Sequence, residues 1–214
     1  PWYKGMAPEK MQYETYPGSY DYKYPKSGMQ NSLVSVHTFD IKSKVTRTMD
    51  LQLDKEDYIP RIRFTSDPEK LAIMVLNRHQ NRFDLYFANP RSTLCKVAIR
   101  DEAPQYIKEQ AYANIEFFDK NIVMMSERDG YNHLYLYTIG GNLVKQITKG
   151  DFEVKDFLGW DQNANVFYYT SNEESPLRTA VYKIDAKGKK TKLSTRVGTN
   201  SAIFSHSMKY YINT

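Results

Sequence analysis

The sequence predicts an all-β fold, a partial β-propeller of four-stranded antiparallel blades. Three observations carry that prediction. Short runs with period-2 alternation follow one another along most of the 214 residues, separated by turn residues. The runs group in fours. The first strands of successive groups begin near Arg61, Ala113, Val154 and Ser201, an interval of roughly 40 to 50 residues that matches propeller blades. The first turn of each group also recurs in kind, as Phe64-Thr65-Ser66-Asp67-Pro68, Phe117-Phe118-Asp119-Lys120-Asn121 and Gly159-Trp160-Asp161-Gln162-Asn163. In such a turn the Asp bonds nearby backbone N–H groups, and the aromatic covers the space between adjacent blades. A β-sandwich also spaces its strands regularly; grouping in fours favours the propeller.

The elements follow in order. Residues 1–31 form an irregular lead-in, crowded with Trp2, Tyr3, Tyr13, Tyr16, Tyr20, Tyr22 and Tyr24 and punctuated by Pro8, Pro17 and Pro25. It alternates poorly and is expected to wrap along an adjoining blade. Runs 33–41 and 45–51 read as the last two strands of a partial blade over 32–52. The blade over 58–101 has strands 61–64, 71–76, 83–88 and 94–99. Asn77-Arg78-His79-Gln80-Asn81 is the tip between its second and third strands. Residues 101–110 hold one helical turn at most, because Pro104 opposes a long helix. The blade over 112–149 has strands 113–117, 121–125, 133–138 and 143–148. The blade over 152–195 has strands 154–159, 166–170, 179–184 and 190–193. A partial blade over 200–214 has strands 201–204 and 209–212. Gly140-Gly141-Asn142 and Ala186-Lys187-Gly188 are flexible hairpin tips. The chain begins at Pro1 without a signal peptide and stops inside a strand, which reads as a piece of a longer chain.

Composition excludes several classes. Hydrophobic content is 41% and net charge is +5, ordinary for a globular protein. The cationic side chains are scattered except in Lys187-Gly188-Lys189-Lys190-Thr191-Lys192. That run reads as an exposed hairpin turn, so no nucleic-acid partner is expected. No stretch approaches the ~18 apolar residues of a membrane span. Cys95 is the single cysteine, which excludes an internal disulfide, and it reads as a small strand residue of the core.

A search for chemistry finds little. There is no Gly-x-Ser-x-Gly elbow. His37, His79, His133 and His206 lie in four different strand groups without metal-ligand spacing. The glycines compose no phosphate loop. Glu173-Glu174 is an adjacent acidic pair of the kind that binds a free amine by charge-assisted bonds. Its setting between Ser171-Asn172 and Ser175-Pro176 favours a solvated hairpin loop. Ser126-Glu127-Arg128-Asp129-Gly130-Tyr131 occupies the same place one blade earlier, and its charges are expected to pair locally. No residue is assigned a catalytic, cofactor-binding or metal-binding role, and the substrate-contacting residues stay unassigned.

Several segments together resemble the dipeptidyl peptidase IV family of prolyl-oligopeptidase-like serine exopeptidases. They are Tyr16-Pro17 with Tyr24-Pro25-Lys26-Ser27-Gly28; Tyr58-Ile59-Pro60-Arg61-Ile62-Arg63-Phe64-Thr65; Leu76-Asn77-Arg78-His79-Gln80-Asn81; Ser126 to Tyr135; Gln146-Ile147-Thr148-Lys149-Gly150; and Tyr169-Thr170-Ser171-Asn172-Glu173-Glu174. Each is a weak signal, and their common order makes them specific. The lack of disulfide cysteines resembles the bacterial members. The resemblance implies a parent with an eight-bladed propeller over a C-terminal α/β-hydrolase domain that carries a Ser-Asp-His triad. That parent would release X-Pro and X-Ala dipeptides from free N-termini, without a cofactor, in the periplasm or cell envelope or as a secreted protein, with a homodimer left open. The family's amine-binding glutamates precede its Tyr-Pro pair, so that role is not carried to Glu173-Glu174. No residue in 106–114 matches the family's substrate-facing residues. The chain alone is then a structural and substrate-gating part without activity. A stand-alone propeller that binds other proteins is the alternative.

Overall fold

Six consecutive apolar side chains, Leu71 to Leu76, form a strand buried along its whole length. Such a strand needs cover on both faces of its sheet, and the architecture provides it. The computed structural model describes residues 28–214. The lead-in aromatics and both Tyr-Pro segments up to residue 27 lie outside the described residues. The chain divides into two units at Leu33 and Val34. The elements below belong to the second, which runs to Thr214.

Sixteen strands and one short helix make up the described elements. A two-stranded sheet pairs β1 (His37–Phe39) with β2 (Thr46–Thr48). Three four-stranded sheets follow, each a simple meander: β3 (Tyr58–Phe64), β4 (Leu71–Leu76), β5 (Arg82–Ala88), β6 (Cys95–Glu102); β7 (Glu116–Phe117), β8 (Asn121–Ser126), β9 (His133–Thr138), β10 (Leu143–Gln146); and β11 (Val154–Asp161), β12 (Val166–Ser171), β13 (Ala180–Asp185), β14 (Lys190–Lys192). A second two-stranded sheet pairs β15 (Ala202–Phe204) with β16 (Tyr211–Asn213). All pairing within the sheets is antiparallel. These are the blades of a partial propeller.

The blades stack face to face through their period-2 pattern. Leu71, Ile73 and Val75 join Val36 and Met49 on one side. Ala72, Met74 and Leu76 turn to the other side and meet Ile122 and Met124 of β8. Val123 and Met125 of β8 then pack against Val154, Phe167 and Tyr169 of the following blade. Each central strand thus serves two cores, and burying each of these large side chains stabilises the stack by ~1.5–3 kcal/mol.

Two glycines are required by close approach. Gly141, at φ +90°, lies at the β9–β10 tip, and an added Cβ would sit 1.9 Å from the Ala98 carbonyl oxygen of the preceding blade. Gly159, at φ +145°, follows a register shift in β11 and abuts Met208 of the last sheet.

Three expectations need correction. A helix, α1 (Glu109–Ala113), replaces the start of the strand expected over 113–117, and β7 keeps only two residues. Ala111 is buried in the core between blades and the Tyr112 ring stacks on Phe83 with centroids 6.2 Å apart, so tertiary packing selects the helix. The recurrent aromatic bridges blades at Phe117 with Phe87 and at Phe118 with Trp160. Phe64 does not, being 87% exposed. Finally, the charges of 126–131 pair over long range, as described below.

Candidate functional site

In a four-stranded antiparallel meander the corner between the second and third strands and the crossover to the next blade lie at the same end of the strands. One face of the stack therefore gathers the corners 77–81, 127–132 and 172–179 with the crossovers 103–115, 147–153 and 193–201. Asparagines close or anchor several of these segments. Asn77 Oδ1 accepts the N–H groups of Asn81 and Arg82, while the Gln80 and Asn81 carbonyls accept N–H from Ile107 and Ala103. Asn132 Nδ2 donates to the Val154 carbonyl at 2.7 Å. Asn172 Oδ1 accepts the Glu153 N–H at 2.7 Å. Asn200 Nδ2 donates to the Thr179 carbonyl at 3.2 Å. The tip at 77–81 is thus a joint between blades.

A polar cluster on this face surrounds Arg128. Asp101, 7% exposed, accepts a bond from the Ser126 hydroxyl at 2.6 Å and lies 3.2 Å from Arg128 Nη2. Arg128 Nε donates to Ser126 Oγ at 3.0 Å. The guanidinium lies 4.6 Å from the Tyr135 ring centroid and 5.8 Å from that of Tyr137. Burial raises both phenols above their ordinary pKa. Ser126 is committed to Asp101 and Arg128, so its hydroxyl serves as a structural pin. Beside it the crossover bears Lys108, whose Nζ lies 2.6 Å from Glu127 Oε1 and 3.7 Å from Glu153 Oε1. Glu127 and Arg128 thus find partners 19 and 27 residues away, Lys108 and Asp101, and not the local pairing expected within 126–131.

The acidic pair is occupied. Glu173 Oε1 accepts from the Tyr169 phenol at 2.9 Å and the Ser171 hydroxyl at 3.0 Å, and Glu173 also pairs with Lys190. Its side chain is only 13% exposed. Glu174 pairs with Lys192 at 2.7 Å. Two lysines of the basic run are therefore bound to the acidic corner, and Asp185 caps the rest of the turn by accepting the Lys187 and Lys189 N–H groups. Nearby, burial and the two glutamates push the Tyr182 phenol up to about 12.

The histidines do not converge. His133 is fully buried against Thr148, the Gly150 carbonyl and the Phe152 ring. His37 contacts Ser35 and Thr48; His79 and His206 are exposed. Among the described residues no three His, Cys, Asp or Glu side chains come together to hold a metal ion. Cys95 is half-buried, and burial raises its thiol pKa, away from nucleophilic use. The opposite rim has an open recess of 810 Å³ between Phe118, Trp160 and the 204–208 turn. Two of its polar side chains serve local turns: Asp161 Oδ1 accepts two backbone N–H groups and the Trp160 indole donates to Asn165.

Comparison with known proteins places this geometry in context. The family model described as "Dipeptidyl peptidase IV (DPP IV) N-terminal region" matches residues 4–214. The crystal structure of Porphyromonas gingivalis dipeptidyl peptidase 4 is 42% identical, with a TM-score of 0.87 over 94% of this chain and 29% of that one. A probable dipeptidyl peptidase 4 of Emericella nidulans is 21% identical over 79% of this chain and 24% of its own length. The inactive dipeptidyl peptidase 10 of Mus musculus is 23% identical over 81% of this chain and 23% of its own length. The chain therefore spans about a quarter of the length of the curated relatives it matches.

Proposed function

From the premise that this chain belongs to the family of dipeptidyl peptidase IV N-terminal regions, we propose that it is the propeller portion of a serine exopeptidase releasing N-terminal X-Pro and X-Ala dipeptides. The observation that carries this reading is the 42% identity to P. gingivalis dipeptidyl peptidase 4 along 94% of the chain. The chain's own part is structural and substrate-gating. Its blades form a wall, and the corner face orders loops that a substrate meets on the way to a triad on a C-terminal α/β-hydrolase domain. There a serine attacks the carbonyl, an acyl-enzyme forms and water releases it. Support for a passive chemical role comes from the site itself: Ser126, Glu173 and His133 are each saturated by structural bonds. The same reading places the whole protein in the periplasm, the cell envelope or outside the cell, with an eight-bladed propeller and a homodimer to be checked by light scattering. Among the described residues no helix is long and apolar enough to cross a membrane.

A propeller that only binds other proteins is the competing reading, and similarity to a relative named inactive keeps it in contention. An X-Pro chromogenic substrate separates the two. Hydrolysis by the intact natural protein that disappears with a serine-directed inhibitor supports the peptidase. An intact protein without a Gly-x-Ser-x-Gly segment and without hydrolysis supports the platform.

A further inference from the structure

Of the crossovers on the corner face, 103–115 is the longest and bears the only helix among the described residues. Lys108 starts that helix against local preference. Helix N-caps favour Ser, Thr, Asp or Asn, and a cation at this end opposes the helix dipole. Lys108 has an extended backbone, φ −68° and ψ 148°, and makes no side-chain cap bond. Its backbone carbonyl accepts the Ala111 N–H, while its ammonium leaves the helix altogether. It reaches Glu127 in the corner of the β7–β10 blade and Glu153 just ahead of β11. Glu153 is in turn bound by Lys155 at 2.5 Å. On the other side, Glu109 pairs with Arg61 of β3 at 2.6 Å. Adjacent residues of opposite charge thus tie one crossover backwards to one blade and forwards to two. A local rule broken where a long-range contact is gained marks a residue kept for placement.

We propose that Lys108 is a positioning residue, whose ammonium, shared between Glu127 and Glu153, sets the placement of α1 and the 103–115 crossover against the next two blades. The pair with Glu127 holds the Lys108 pKa above its ordinary value, as such sharing requires. Exposed single ion pairs contribute little, so the effect is local order and not global stability.

The test is hydrogen exchange on the intact natural protein, comparing wild type, Lys108→Met and Lys108→Arg at low and high salt. Lys108→Met should speed exchange ~fivefold at the Ile107, Ala111 and Asn114 amides at low salt. High salt should bring wild type toward the variant and leave Lys108→Met unchanged. Lys108→Arg, which keeps the charge, should restore protection. The Phe167 and Tyr169 amides of β12 should not respond in any variant. Equal exchange over 107–114 in wild type and Lys108→Met overturns the proposal. So does acceleration that extends to β12, or failure of Lys108→Arg to restore protection. The inference stands apart from the peptidase reading: an inactive wild-type protein would sink that reading and leave this exchange comparison intact.

Discussion

Asp101 and Arg128 carry much of the consequence at residue scale. Arg128 is shared among Asp101, Ser126 and two tyrosine faces, and Asp101 is almost wholly buried. Removing Asp101 leaves the Arg128 guanidinium, 27% exposed, and the buried Ser126 hydroxyl without their partner, which costs more than an exposed pair is worth. Asp101→Ala should lower stability by about 2–4 kcal/mol in urea unfolding, and Glu174→Ala, at an exposed pair, by less than about 1 kcal/mol. Gly141→Ala should cost at least about 2 kcal/mol, because the Cβ would overlap the Ala98 carbonyl at a positive φ. The buried tyrosines set an alkaline limit. Tyr182 rises from an ordinary 10.0 to about 12, so the folded state holds its proton more tightly than the unfolded chain. That contribution is complete below pH 10.0 and is lost as pH rises toward about 12. Thermal midpoints should fall between pH 10 and about 12 (on the order of a few degrees), with phenolate absorbance at 295 nm lagging that of free tyrosine.

The elements differ in how far local sequence decides them. The run 71–76 and the tip Asn77-Arg78-His79-Gln80-Asn81 were legible because period, length and turn chemistry agree. Asn77 Oδ1 closes that corner by accepting two backbone N–H groups, so Asn77→Ala should cost about 1–2 kcal/mol by thermal or urea unfolding. The helix α1 was not legible. Five residues cannot hold a helix alone, and this one exists because Ala111 and Tyr112 fill a gap between blades. The strand expected over 113–117 was shortened to Glu116–Phe117 by that packing. The pairing of Arg128 with Asp101 and Lys108 with Glu127 was equally hidden. Nothing within the Ser-Glu-Arg-Asp-Gly corner says that its partners come from the preceding crossover. Phe64 shows the opposite failure: its turn matches the repeat, yet the ring stays exposed.

At the scale of the whole molecule, the described residues begin and end in two-stranded sheets beside three four-stranded ones. Ile203 and Ile212 of the last sheet and Tyr210 just ahead of β16 are each more than two-thirds exposed, at 77%, 69% and 76%. Unpaired strand edges with apolar neighbours template association. The 214-residue chain alone should therefore grow in apparent mass with concentration in light scattering, and a monodisperse monomer would count against this. The proposal at this scale is that the blades serve a dipeptidyl peptidase whose chemistry is carried elsewhere in the intact protein. The most direct measurement is hydrolysis of an X-Pro chromogenic substrate by the intact natural protein and by the 214-residue chain in parallel. The account predicts release of the X-Pro dipeptide by the first and none by the second; activity in the isolated chain, or none in the intact protein, would contradict it.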